Sequence, residues 1–286
     1  MKALAKKKHS PVNKKRLSIS FSTAGFSIRG ALLTYAVPGK RERVLLDYSK
    51  YTYSDHIREK GKPVHMIIKK EGTNWFACVC YRIPEPQPTT CVGTIGIDRG
   101  IKTIAATSEK KLYGSTHLTK IKRKYNFLRR VLQKKGTRSA KRKLRTIRNR
   151  ETRFVRNTLH TITKQISRLP YGTFALETLK KLKRNKNTDT KKSKGCRFNR
   201  MISNWSYYLF EQLLTYKLED HGKAIKYIDP RYTSQKCHSC GKILKSNRKG
   251  SFYKCKCGYH NHADINAALN IQSLAISKEQ GIVNYP

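Results

Sequence analysis

The chain has 286 residues, of which 63 are Lys or Arg and 17 are Asp or Glu, so its formal net charge at pH 7 is +46. A chain with this charge repels itself unless a polyanion neutralises it, and nucleic acid is the obvious polyanion. The hydrophobic content of 37% is enough to fill a core, which excludes a disordered basic tail.

The sequence also argues against a membrane protein and a secreted one. No apolar run approaches the roughly 18 to 20 residues that a membrane-spanning helix needs. Residues 1–20 carry lysines but no apolar stretch of the kind found in secretory signals. We therefore expect an intracellular protein, whose eight cysteines are thiols or metal ligands rather than disulfides.

Residues 17–91 are rich in β-branched and aromatic residues between Gly and charged turns, which predicts a small β-barrel or a sheet of about five strands. The proline-rich segment 83–90 then ends this region. Cys78 and Cys80 share one face of a predicted strand. They are either half of a metal site or buried strand cysteines, and the lack of a matching pair nearby in the sequence favours burial.

An α/β pattern follows. Residues 94–114 predict two short strands around a turn at Gly100, and "KKGTRS" at 134–139 separates two long amphipathic helices. Next come the strand "TFALE" at 173–177, a polar loop at 180–200, a helix, the strand "KAIKYID" at 223–229 and a last helix that starts near Asp264. The apolar stripe predicted for the helix after the loop is Trp205, Tyr208, Leu209, Gln212, Leu213 and Tyr216.

The two long helices lie in the most basic part of the chain. Between Lys110 and Arg200 there are 31 Lys or Arg and three acids. The plain interpretation is a solvated helix face, but basic residues opposite an apolar stripe favour binding to phosphate backbones. Tyr125, Tyr207 and Tyr208 could stack on bases, although their positions on or near apolar stripes favour core packing.

Four cysteines fall within 21 residues: Cys237, Cys240, Cys255 and Cys257. Two thiolate pairs on two knuckles suit a tetrahedral zinc site, and Gly241 and Gly258 directly follow the pairs, where the knuckle turns need a permissive backbone. The second pair is one residue tighter than usual, so His238, His260 or His262 is an alternative ligand. A shell closed by four protein ligands predicts a structural zinc ion.

Three acids sit at the ends of elements: Asp98 and Glu177 at strand ends, and Asp264 at the start of the last helix. Each alone is explained by solvation or by the helix dipole. Brought together by one sheet, they would repel one another unless divalent cations lay between them. Oxygen ligands favour Mg²⁺ or Mn²⁺, and two such ions can support phosphodiester cleavage.

Four segments in order resemble the RuvC and zinc-ribbon motifs of TnpB-like, transposon-encoded RNA-guided nucleases, relatives of the miniature type V CRISPR effectors. They are "GIDRGIKTIAA", "FALETLKKL", "DPRYTSQKCHSCG" and "CGYHNHADINAALNI", and the resemblance covers about residues 92–275. It implies an RNase H-like (RuvC) α/β domain with an inserted zinc ribbon. The implied catalytic acids are Asp98, Glu177 and Asp264, and the implied partners are DNA and a guide RNA in a prokaryotic, nucleoid-associated setting.

The resemblance implies four parts: a partial wedge-type β domain at 1–91, a RuvC-like nuclease domain with a basic helical hairpin at 92–232, the zinc ribbon at 233–262, and the RuvC C-terminal helix and tail at 263–286. The helical recognition lobe that such proteins insert in the wedge barrel has no counterpart in the sequence. The predicted function is a transposon-associated, metal-dependent DNA endonuclease that is RNA-guided in its full-length form. The alternatives are a truncated or domesticated nucleic-acid-binding regulator without cleavage, and an RNA-associated zinc-ribbon protein.

Overall fold

The computed structural model describes residues 18–47, 55–71, 73–179 and 206–280. The chain divides into two compact units between Glu85 and Pro86, within the proline-rich segment. The predicted polar loop at 180–200 and the predicted stripe residue Trp205 lie outside the described residues.

The first unit is rich in β-strands, as predicted, but its described residues form six antiparallel strands in two sheets rather than about five in one. One sheet has the order β1-β5-β6, with β1 at Ser18–Ser22, β5 at Lys62–Glu71 and β6 at Asn74–Arg82. A second sheet is a meander of β2 at Phe26–Arg29, β3 at Leu32–Val37 and β4 at Lys40–Leu45, and helix α1 spans Asp55–Lys60. The core of this first unit is formed by residues from both sheets: Phe21, Phe26, Leu33 and Met66. A wedge-type barrel remains a prediction.

The expectation that Cys78 and Cys80 are buried is wrong, because both are exposed on β6. The alternate residues Ala77 and Val79 pack against the core of this unit. The cysteines therefore occupy the opposite face of the sheet, where Cys80 pairs with His65 of β5.

The second unit contains a five-stranded mixed sheet with the order β11-β10-β7-β8-β9. Strands β10 and β11 are parallel, as are β10 and β7, whereas β8 and β9 continue antiparallel. The strands are β7 at Thr94–Asp98, β8 at Thr103–Thr107, β9 at Leu112–Gly114, β10 at Thr173–Glu177 and β11 at Ala224–Ile228. The predicted hairpin and the two later strands are confirmed.

Helices cover both faces of this sheet, which gives an α/β architecture. Helix α3, Arg138–Ser167, and helix α4, Tyr207–Asp220, pack on the face that carries Ile95, Ile97 and Phe174. Helix α5, Ala263–Glu279, packs on the opposite face, where Ala175 and Ile228 meet Ile271 and Ala275.

Helix α2, Thr116–Lys135, forms the predicted hairpin with α3. The break between them is closed at Gly136, whose backbone is left-handed, and Thr137 caps α3 by accepting a hydrogen bond from the N–H of Ala140. Arg129 and Glu151 join the two helices by an ion pair of 2.7 Å. None of the side chains of α2 is fully buried, so this helix lies at the surface of the unit.

The stripe predicted for α4 is partly wrong. Its buried residues are Phe210, Leu213, Leu214 and Leu218, whereas Gln212 is exposed and Tyr208 and Tyr216 are 72% and 40% exposed. The sequence of α4 carries aromatic or aliphatic residues on more than one face, so periodicity alone did not identify the face that packs on the sheet.

Between β11 and α5 the chain forms a small three-stranded antiparallel sheet with the order β12-β13-β14. Its strands are β12 at Arg248–Lys249, β13 at Phe252–Lys254 and β14 at His260–His262. Among the described residues, no helix is both long and apolar enough to cross a membrane.

Candidate metal centres

The sheet brings Asp98 and Glu177 to the same edge. In the parallel pair β7–β10, Ile97 lies opposite Leu176, and the two acids are the next residues on their strands. Helix α5 packs directly on β7 and carries Asp264, 9% exposed, in its first turn. The fold thus places the two strand-end acids side by side and packs the helix of Asp264 against one of those strands. Among the described residues, however, only the four cysteines of the predicted zinc site have ligand atoms close enough together to hold one metal ion, so a metal site at the three acids stays a prediction.

The three carboxyl groups interact electrostatically. Burial, together with the charges of Glu177 and Asp264, raises the pKa of Asp98 to about 8. The guanidinium of Arg248 and the backbone N–H of Arg99 oppose this rise. A buried carboxyl beside two others is costly to ionise without a nearby cation.

Two of the acids have partners that hold their orientation. Glu177 Oε1 accepts a hydrogen bond of 2.5 Å from the hydroxyl of the buried Thr233, and burial raises the Glu177 pKa despite this bond. Asp264 Oδ1 accepts a bond of 2.9 Å from Arg248 Nη2. Arg248 belongs to β12, so the small sheet supplies a cation to the acid cluster. No sequence signal singled out Thr233 or Arg248.

The backbone around these acids is tightly packed. A Cβ atom placed on Gly96, two residues before Asp98, would lie 2.0 Å from the backbone oxygen of Ala268 in α5. Gln272 of the same helix donates from Nε2 to the backbone oxygen of Thr94 at 2.7 Å. Gly96 therefore lets the helix that carries Asp264 lie directly against the strand that carries Asp98.

The four predicted cysteines form a cluster. Their Sγ atoms all lie within 4.8 Å of one another, with 3.8 Å between Cys237 and Cys257 and 3.6 Å between Cys240 and Cys255. A tetrahedral zinc ion with Zn–S bonds of about 2.3 Å has S–S edges of about 3.8 Å, so the four thiols fit zinc. They are the only such group of three or more His, Cys, Asp or Glu among the described residues.

The backbone of the knuckles also meets the prediction. Gly241 and Gly258 have φ values of +75° and +89°, the left-handed region that favours glycine. The backbone N–H of Cys257 lowers the pKa of the Cys255 thiol, whereas burial raises the pKa of Cys237 in the same cluster to about 12.

The histidines considered as alternative ligands are used elsewhere. The ring of His238 packs near Tyr259, with centroids 6.4 Å apart. His262 caps α5, since its Nδ1 accepts a hydrogen bond of 3.3 Å from the N–H of Asp264. His260 Nδ1 lies 3.3 Å from the backbone oxygen of Gly258.

Two buried asparagines connect the cysteine knuckle to α5. Asn266 Nδ2 donates to the backbone oxygen of Lys236 at 2.9 Å, and its Oδ1 accepts from the N–H of His238 at 3.1 Å. Asn270 Nδ2 donates to the backbone oxygens of Thr233 and Lys236 at 2.8 and 2.7 Å. Sequence reasoning missed both residues, although polar side chains four apart in the apolar run "ADINAALNI" were a visible signal.

The outer surface of the α2–α3 hairpin is strongly basic. Its buried residues lie on α3, where Ile147, Val155 and Leu159 face the interior. The exposed basic residues of the two helices include Arg123, Lys124, Arg130, Lys134, Arg142, Arg145, Arg148, Arg153 and Arg156. The basic residues are therefore on a folded surface rather than in an unstructured tail.

The sequence was compared with families and proteins of known character. A family model described as "Cas12f1-like, TNB domain" matches residues 207–271, and one described as "Probable transposase" matches residues 78–189. The chain is 46% identical over 82 residues to "CRISPR-associated endodeoxyribonuclease Cas12f1" of Sulfoacidibacillus thermotolerans, which covers 28% of this chain and 19% of that protein. It is 29% identical over 242 residues to "Putative RNA-guided DNA endonuclease InsQ" of Escherichia coli, and this match covers 79% of this chain and 60% of that protein.

The fold was compared with solved structures. A cryo-electron microscopy structure of a Cas12f1-sgRNA-target DNA complex matches with a TM-score of 0.60 and 18% sequence identity, over 90% of this chain and 59% of that one. At this identity the likeness concerns the fold. The chain thus matches at most about three fifths of the length of these relatives. The resemblance to TnpB-like, transposon-encoded proteins and their Cas12f1-like relatives, predicted from four motifs, is confirmed.

Proposed function

We infer that this chain is the nuclease part of a transposon-associated, RNA-guided DNA endonuclease. The observation that carries the proposal is that Asp98 and Glu177 end adjacent strands and that the charge of Asp264, on the helix packed against them, acts on Asp98, in a chain with a net charge of +46. A basic protein binds a polyanion such as nucleic acid, and a local cluster of acids can hold the divalent cations that a reaction on that polyanion needs. The names of the relatives, which are DNA endonucleases, support the same function.

In this proposal the sheet with helices on both faces is an RNase H-like (RuvC) domain at 92–232, with the zinc ribbon at 233–262 inserted before the last helix and tail at 263–286. Residues 1–91 are the partial wedge-type β domain. The proposed place of action is the nucleoid of a prokaryotic cytoplasm.

Asp98, Glu177 and Asp264 would hold Mg²⁺ or Mn²⁺, because their oxygen-only donor set suits hard cations and their mutual repulsion is relieved by one. When bound, such ions activate water and stabilise the leaving oxygen of a phosphodiester. The chain itself aims the carboxylates: Thr233 fixes one oxygen of Glu177, and the packing of α5 on Gly96 fixes the separation of Asp264 from Asp98.

The basic surface of the α2–α3 hairpin would bind the phosphate backbones of DNA and guide RNA. Contacts of this kind carry little sequence information but position the nucleic acid, and base pairing with a guide supplies the sequence choice. The four cysteines would hold a structural zinc ion that stabilises the ribbon and keeps Arg248 beside Asp264.

The test is cleavage of target DNA by the purified chain with Mg²⁺ and a guide RNA transcribed from the DNA next to its gene. Asp98→Ala should abolish cleavage and leave DNA binding unchanged. Asp220→Ala, which removes an exposed acid at the end of α4, is the matched control and should cut like the parent. Cleavage by Asp98→Ala at the parent rate would refute the acid centre, and DNA binding without cleavage by the parent would favour the regulator.

A further inference from the structure

Arg99 follows Asp98 directly, yet its side chain is turned into the protein and is only 1% exposed. Its Nη2 donates to the backbone oxygen of Glu177 at 2.5 Å, and its Nη1 donates to Glu211 Oε2 at 2.7 Å. Its Nε has no hydrogen-bond partner among the described residues. A buried guanidinium thus joins the ends of the two strands that carry Asp98 and Glu177.

Glu211 supplies the counter-charge for this guanidinium from helix α4. Its second oxygen, Oε1, accepts a hydrogen bond of 2.8 Å from the hydroxyl of Tyr227 on β11. The side chain of Glu211 is therefore held from two sides by a bond to a cation and a bond to a phenol. The network connects four elements, β7, β10, α4 and β11. It lies next to the three acids but does not use any of their carboxylate oxygens.

The position of this cation matters because it lies close to the acids. The charge of Arg99 already acts on Glu177, whose pKa it lowers against the effect of burial. A buried charge that loses its partner is strongly destabilised and will pair with another group within reach. For Arg99 the neighbouring group of opposite charge is the carboxylate of Glu177, whose oxygens a divalent cation would need.

Resting on the function proposed above, we propose that Glu211 is a positioning residue of the metal centre. It holds the Arg99 guanidinium on the backbone of Glu177 and away from the carboxylates, so that Arg99 fixes the spacing of the two strand ends without competing with the metal ions. Tyr227 supports Glu211 in this position.

The test is direct binding of Mn²⁺ to the metal-free full chain, measured by electron paramagnetic resonance of free Mn²⁺ with zinc kept in the ribbon. Glu211→Gln should weaken the Asp98-dependent binding by at least about tenfold, because it removes a charge-assisted hydrogen bond. Tyr227→Phe, a milder change, should weaken it by about two- to fivefold. Glu219→Gln removes the same charge from an exposed position on α4 and should bind Mn²⁺ like the parent.

The double variant Arg99→Gln with Glu211→Gln separates positioning from general damage. With the competing guanidinium removed, Mn²⁺ affinity should return part of the way to the parent value, whereas simple loosening of the fold would lower it further. Equal Mn²⁺ affinity for Glu211→Gln and Glu219→Gln would overturn this inference alone. Parent binding that Asp98→Ala does not reduce would overturn the metal centre and the inference with it.

Discussion

Gly96 offers the sharpest test of how the acid centre is built. It lies on β7 two residues before Asp98, and the backbone of α5 passes over it. In the variant Gly96→Ala the new methyl group would meet the Ala268 oxygen at 2.0 Å and the Gln272 nitrogen at 2.6 Å. Both are backbone atoms of a helix, so no side-chain rotation can relieve the contact.

The size of the effect follows from these distances. Ordinary van der Waals contact begins at 3.4 Å, so α5 must move away from β7 by about 1.4 Å if the strand stays in place. Overpacking of this kind costs about 1–3 kcal/mol or more of the free energy of unfolding. The same shift moves Asp264 relative to Asp98 by more than the roughly 0.5 Å that a metal or catalytic constellation tolerates.

The assay pairs chemical unfolding with Mn²⁺ binding. Gly96→Ala should unfold at lower denaturant and lose Mn²⁺ affinity, whereas Gly114→Ala, on β9 of the same sheet with no atom within 4 Å of the added methyl, should match the parent in both. A Gly96→Ala chain that is as stable as the parent and binds Mn²⁺ as tightly would refute the view that close packing of α5 on β7 sets the geometry of the acids.

Two further predictions concern the rest of the second unit. Cys240→Ser should lower the zinc content, measured by metal analysis, below one ion per chain, and should reduce the free energy of unfolding, followed by thermal melts, by several kcal/mol. Cys78→Ser changes an exposed cysteine outside the cluster and should leave both the zinc content and the stability as in the parent. Lys217 donates to the backbone oxygen of His160, and burial, with a smaller effect of Lys164, lowers its pKa from 10.5 to about 8. Between those pH values the unfolded chain binds more protons at Lys217 than the folded chain does. The parent should therefore gain stability relative to Lys217→Met as pH rises from about 8 to 10.5, and melting temperatures of the two proteins that differ by the same amount at every pH would contradict this.

The sequence predicted the elements of the second unit well because their signals are local. Alternation and Gly100 identified the β7–β8 hairpin, and the three-four spacing of apolar residues on either side of Gly136 identified helices α2 and α3. The spacing of cysteines and glycines predicted the knuckles down to the left-handed backbone of Gly241 and Gly258. In each case the residues that form the feature are neighbours in the chain.

The errors and omissions have a common physical cause, which is that they depend on contacts between distant segments. The face that α4 buries is decided by the sheet beneath it, so Tyr208 is exposed although it lies beside apolar residues. Glu211 has the spacing of an ordinary surface acid, and only the fold shows that it binds Arg99, 112 residues earlier. Cys78 and Cys80 are exposed because their side of the sheet has no cover within the described residues of that unit.

The same dependence on distant contacts explains how a zinc ribbon and an acid centre can work together. Thr233 precedes the first cysteine by four residues. Its hydroxyl donates a hydrogen bond to Glu177, and its backbone oxygen accepts one from Asn270 of α5. Helix α5 carries Asp264 and lies against Gly96, two residues from Asp98. Glu177 and Asp264 therefore accept hydrogen bonds from Thr233 and Arg248 of the ribbon, and Asp98 is linked to it only through the packing of α5 at Gly96. We therefore expect metal in the ribbon to restrict the backbone that holds Thr233 and Arg248, and so to influence the geometry of acids that it does not touch.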